Sequence, residues 1–217
     1  MTTPRTNRMA RWALSLALFF AGCAITFIVC RELIREAADS GLERRKEVIA
    51  DDRQRIRIPG IGVVEYQRLF EAVSEPGETM DEFAARIGPR LREFSDQTGF
   101  EACGVIATDG QRFGVVIGSN RSHVACANFT SKVPVGMQAT EETIHSHGRN
   151  RSFNANRNDV ALQGQFFHGQ VGLRGVAGQN VREFSAMDYE GGPGYLATPN
   201  GVIHQRGQGT TRTVSGP

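Results

Sequence analysis

Apolar positions along the chain follow two different periods, and the change falls near residue 99. Before it, Met80, Phe83, Ile87, Leu91 and Phe94 recur at intervals of three and four, the stripe of an amphipathic helix. Thr79, with Glu82 three residues on, has the form of a capping box at the start of that helix. Gly88-Pro89 predicts a kink or a weak point within it. Further upstream, Ile34, Ala38 and Leu42 recur at a spacing of four among charges, which predicts a short helical stalk. Asp51 to Gly62 reads as a linker, and Tyr66 to Val73 as a partly helical stretch.

After Gly99 the texture is that of strands. Ala102 to Ala107 is a short apolar run, Asp109-Gly110 is a hairpin signal, and Phe113 to Ile117 is the returning strand. His123 to Ala127 and Thr140 to Ile144 are further strand candidates. Residues 148–182 are rich in Gly, Asn, Arg and Gln and read as a long loop with a brief helix near Val160 to Phe167. Tyr195 to Ala197, the Pro199-Asn200-Gly201 turn and Val202-Ile203 predict a closing hairpin, followed by a disordered tail over 207–217. A helix followed by a small mixed or antiparallel sheet gives an α+β domain over 63–206.

The N-terminus changes this picture. Trp12 to Cys30 is a run of 19 residues without a charge, close to the length that crosses a bilayer as a helix. We therefore expect a basic N-terminus over 1–11, a transmembrane anchor over 12–30 and a stalk and linker over 31–62. A cleaved signal is one alternative. A lipoprotein is the other, since Phe20-Ala21-Gly22-Cys23 resembles a lipobox. Arg5, Arg8 and Arg11 favour a cytoplasmic N-terminus, which would place the C-terminal domain outside an inner membrane, although Arg31, Arg35, Arg44, Arg45 and Lys46 oppose this.

A formal charge of +2 on 217 residues, with no dense basic run, gives no indication of nucleic acid. Cys23 and Cys30 fall in the apolar run. Cys103 and Cys126 are either a disulfide, if the domain is exported, or two small buried hydrophobes.

Candidate chemistry centres on His145-Ser146-His147. Residues i and i+2 of a strand share a face, so both imidazoles can reach one ion. Imidazole suits zinc, and a hydrolytic zinc site takes three protein ligands and leaves one position open. Among the carboxylates, Glu141 and Glu142 lie close to the histidines in sequence, and alternation places Glu141 on their face. His123, His168 and His204 lack supporting spacing and read as structural or exposed.

The order Phe100-Glu101-Ala102-Cys103-Gly104, His145-Ser146-His147-Gly148 and Ser185-Ala186-Met187-Asp188 resembles the JAMM (JAB/MPN-type) metallopeptidase pattern. Phe184-Ser185-x-x-Asp188 followed by Gly194 to Gly201 resembles a bacterial JAB-related subgroup of poorly known function. The resemblance implies a JAB/cytidine-deaminase-like fold with flanking helices. It also implies Zn²⁺ on His145, His147 and Asp188, with Glu101 as proton shuttle and Ser185 as oxyanion donor. The implied activity is hydrolysis of a peptide or isopeptide bond, with a peptide or protein as substrate and the membrane contacted through residues 12–30.

Two departures from that pattern stand out. Forty residues separate His147 from Asp188; Asp159 lies nearer as an alternative third ligand, but Asn156 stands where the family's serine would precede it, whereas Asp188 comes with Phe184, Ser185 and the closing hairpin. Only five residues separate Asp188 from Gly194, leaving little room for a helix. A catalytically inactive JAB-like binding module, or an accessory protein of an envelope or secretion apparatus, are the alternatives.

Overall fold

Thr79 opens the longest helix among the described residues through a reciprocal capping box: its hydroxyl accepts from the Glu82 N–H, and the Glu82 carboxylate accepts from the Thr79 N–H. The computed structural model describes residues 53–149, 152–176 and 180–216, within a compact unit spanning Asp51–Pro217. Helix α1 (Met80–Thr98) buries Phe83, Ala84, Ile87 and Leu91 and ends at Gly99, whose φ of 77° supplies the left-handed cap. It runs through Pro89. Gly88 lets the helix lie close on the sheet, because a Cβ there would strike Val202.

The remainder is mostly strand. β1 (Arg53–Ile58), β2 (Gly62–Val73), β3 (Ala102–Thr108), β4 (Phe113–Ser119) and β5 (Gln138–Ser146) precede an excursion that carries β6 (Ser152–Asn154), α2 (Arg157–Phe167), β7 (Arg174–Val176) and α3 (Ala186–Glu190). β8 (Gly194–Thr198), β9 (Gly201–Gln205) and β10 (Arg212–Ser215) close the chain. Eight of these form one sheet in the order β1-β2-β4-β3-β5-β8-β9-β10, while β6 and β7 form a separate ribbon. Every neighbouring pair is antiparallel except β5 and β8, which run parallel.

The two faces of the central strands have different tasks. Ala102 and Ile106 of β3, Ile144 of β5, Tyr195 and Ala197 of β8 and Val202 of β9 pack with α1 into the main core. By alternation, Cys103 and His145, which are cross-strand partners, turn to the opposite face. Over that side lies the excursion after β5, which has a small core of its own in Phe153, Ala155 and Phe167, with Val124 and Val160 packed against it.

These observations correct several expectations. The sheet is large and mixed, with eight strands, and the domain is mostly sheet rather than a small sheet with flanking helices. Residues 53–58, expected in a linker, form β1, and Tyr66 to Val73, expected to be partly helical, belong to β2. Both pair along their length, as alternating Arg and Ile in β1 allow. His123 to Ala127 is not a strand; its backbone is held instead by the side chains of Asp159, Ser122 and Asn120. Four residues of the expected disordered tail form β10. No helix among the described residues is long and apolar enough to cross a membrane. The expected span at 12–30, with residues 1–11 and the stalk at 31–49, lies outside the described residues.

Cys103 of β3 and Cys126 form a disulfide across 23 positions of sequence, with Cα atoms 5.9 Å apart. A loop of that length predicts about 3 kcal/mol of stabilisation. Reduction should lower the urea midpoint accordingly, and Cys103→Ser/Cys126→Ser should then be insensitive to reductant. Leu91→Ala, at a fully buried site in the helix–sheet core, should cost about 3 kcal/mol in the same measurement.

Candidate metal centre

His145 is a residue of β5 and His147 lies just beyond its end. Their Nε2 atoms are 3.3 Å apart. The backbone is fixed from the α1 side: Arg92 Nη1 donates to the His147 carbonyl at 2.8 Å, and Ser95 and Ser146 share a hydroxyl hydrogen bond of 2.7 Å. The chain leaves the site through Gly148, where a Cβ would collide with the carbonyls of Gly99 and His123. Glycine at that position allows the close approach.

Asp188 supplies the third group. It is the N3 residue of α3, and Ser185 is the cap. The Ser185 N–H and hydroxyl both donate to Asp188 Oδ2, at 2.6 and 2.7 Å. The same carboxylate meets both histidines, Oδ1 at 3.1 Å from His145 Nε2 and Oδ2 at 3.1 Å from His147 Nε2. Behind the ligands, His147 Nδ1 lies 2.8 Å from the Asn180 carbonyl, which fixes the tautomer that turns Nε2 towards the site.

His145, His147 and Asp188 form the one cluster among the described residues that can hold a metal ion. Four ligands at about 2.0–2.1 Å in a tetrahedron stand roughly 3.3 Å from one another. The observed separations of 3.1 to 3.3 Å match that edge. Two imidazoles and one carboxylate, with a cleft in front, are the donors of an open site rather than a closed structural one.

The protonation pattern without metal follows from the same contacts. Burial opposes charge on His145 and holds its pKa below the usual histidine value, against the pull of Asp188. Burial opposes charge on His147 as well, but the Asp188 contact and the Glu101 charge overcome it and raise its pKa. Burial alone would raise the Asp188 pKa, yet the two histidines drive it far below the carboxylate range. An arriving cation therefore meets a carboxylate that its surroundings hold in the ionised form.

Glu101 immediately precedes β3 and is buried. The neighbouring register pair Ala102↔Ser146 sets it level with His147. Its own backbone is held at both ends, N–H to the Ser122 carbonyl and carbonyl to the Ser119 hydroxyl. It lines a cleft of about 610 Å³ together with His145, His147, Ser185 and Asp188. Glu141, by contrast, is exposed and does not line this cleft. Glu142 is buried elsewhere, against His204 at 2.9 Å and Arg206 at 3.0 Å, a structural pairing that also accounts for His204. His168 is exposed at the end of α2.

Asp159 has a different task. It is also the N3 residue of a capping box, with Asn156 as the cap of α2. Its carboxylate accepts from Ser122 Oγ and the His123 and Asn156 N–H groups and meets His123 Nδ1 at 2.9 Å. The His123 ring in turn stacks on Phe153, so this pair ties the excursion to the loop after β4. No sequence spacing links His123 to Asp159, 36 residues apart, and the tie was not foreseen. The disulfide, one of two readings open from the sequence, brings Cys126 into the cleft wall beside the strand of His145.

Searches against protein-family models, curated proteins and solved structures return no match.

Asp188→Ala should abolish stoichiometric metal binding, whereas Asp159→Ala should retain it per folded molecule and lose about 3–5 kcal/mol of stability. Burial raises the Asp159 pKa, but its hydrogen bonds from His123, Asn156 and Ser122 outweigh this and leave it lowered. A depressed carboxylate stabilises the fold above its unfolded value near 3.9 and loses that contribution as pH falls through its folded pKa. Denaturant midpoints of the metal-free protein should therefore fall more steeply below about pH 4 in wild type than in Asp159→Asn.

Proposed function

We propose that this domain is a zinc-dependent hydrolase acting on an amide bond of a peptide or isopeptide. The observation that carries the reading is the convergence of His145, His147 and Asp188 at tetrahedral-edge spacing, at a cleft that Glu101 also lines. The resemblance of the Glu101, His145-x-His147 and Ser185-x-x-Asp188 segments to JAMM peptidases supports it. Imidazole nitrogen favours zinc over magnesium or calcium, which prefer all-oxygen sites.

His145, His147 and Asp188 would hold zinc, which when bound would supply a Lewis acid for the scissile carbonyl and ease deprotonation of the attacking water. Glu101 takes the proton of the attacking water and returns it to the leaving amine, so its place in the cleft rather than in the ligand set is what the reaction needs. His147 is held by Asn180 and Arg92, and Asp188 by Ser185, so the ligands are fixed before substrate arrives. Ser185 acts first as the residue that aligns Asp188. To serve an oxyanion, its hydroxyl must leave the carboxylate it now contacts. That commitment favours the second reading, a silent binding module of the same fold. The disulfide fits an oxidising, exported compartment.

The full-length protein should bind about one equivalent of zinc and cleave members of a peptide library. Glu101→Gln should keep the zinc and lose roughly 10²- to 10⁴-fold in rate. Zinc content unchanged in His145→Ala/His147→Ala would overturn the metal assignment. A zinc-loaded wild type that cleaves nothing would leave the binding module.

A further inference from the structure

We propose that the cleft takes substrates bearing a carboxylate, held by Arg174, so that the enzyme selects acidic peptides or peptide ends. The inference rests on the hydrolase reading above and names its substrate class.

Arg174 opens β7, in the ribbon above the sheet. Among the described residues lining the cleft, it is the one Lys or Arg. Its Nε donates to Ser152 Oγ at 3.0 Å, across the ribbon from the strand it faces. That bond orients the planar guanidinium and leaves its terminal nitrogens for a carboxylate, the two-point contact for which Arg is suited and Lys is not. Among the described residues no acidic side chain pairs with it. The cleft's own carboxylates are otherwise engaged, Asp188 with the histidines and Glu101 beside His147. Arg174 is therefore not there to neutralise the metal centre.

Its surroundings add to the selection. Phe167, Val176, Phe184 and Met187 line the same cleft and offer the aliphatic part of a substrate a surface to cover. Arg174 itself is exposed, so the pair it makes is a solvated one of modest strength. A cleft of about 610 Å³ is the size of sites that enclose drug-sized ligands, which here means a short extended segment and not a folded surface. The carboxylate can be an acidic side chain or a free chain end; Arg174 reads the shared group.

The experiment uses the zinc-loaded full chain and matched quenched peptides. One pair differs by Glu against Gln, and the other by a free against an amidated C-terminus. Wild type should prefer the carboxylate member of at least one pair by about 2- to 5-fold in kcat/KM, mainly through KM. Which pair responds identifies the source. Arg174→Ala should erase the preference while leaving the neutral peptides and the zinc content unchanged. Arg174→Glu should favour Lys in place of Glu, and added salt should shrink the wild-type preference. Equal treatment of both members of both pairs, or an equal loss on all peptides in Arg174→Ala, would overturn the proposal. If nothing is cleaved, the hydrolase reading fails. The proposal is then decided by calorimetric binding of the same pairs to wild type and Arg174→Ala.

Discussion

Everything at the candidate centre depends on the parallel pairing of β5 with β8. Antiparallel neighbours can be joined by a tight turn, but a parallel neighbour obliges the chain to travel back across the sheet before pairing again. That obligatory excursion begins directly after His147 and ends at Gly194. Asp188 lies near its end, where the chain must return to the level of β5. The third candidate ligand is thus delivered to the first two by topology, and the long separation between them in sequence is the length of the return path. The same excursion carries α2 and the ribbon that cover one side of the cleft, so the ligand and the walls are built by one segment.

The strand face explains why two histidines and a glutamate share a site. Once α1 claims Ala102, Ile106, Ile144 and Ser146, alternation sends Cys103 and His145 to the other side, with Glu101 and His147 at their ends. The helix does more than bury apolar surface. Arg92 and Ser95, buried on its sheet-facing side, hold the His147 carbonyl and the Ser146 hydroxyl, so the core beneath steadies the candidate ligands above it.

How much of this was legible beforehand depended on whether the signal was local. The capping box at Thr79, the stripe of α1, the Asp109-Gly110 hairpin and the closing hairpin are set by neighbours in sequence, and each formed where expected. The shared face of His145 and His147 is likewise a property of any strand. The choice between Asp159 and Asp188 was not local. Asn156-x-x-Asp159 and Ser185-x-x-Asp188 fold into the same reciprocal cap at a helix start, so no short window separates them. Only the path of the chain does, sending one aspartate to His123 and the other to the metal ligands. β1 and β2 were missed for a related reason. Their arginines and glutamate looked like linker or helix, and it is pairing with each other and with β4 that makes them strands. Arg174 carried no spacing signal at all; its place in the cleft is given by the ribbon.

Among the described residues, β1 and β10 are the two border strands of the sheet. Arg53, Arg55 and Arg57 alternate along β1, and β10 is only four residues long with a register break between Thr213 and Ser215. A second copy approaching β1 would have to align three like charges against its own, and one approaching β10 would find too short and too irregular a template. Charge at one border and brevity at the other are features that discourage edge-to-edge addition to a sheet.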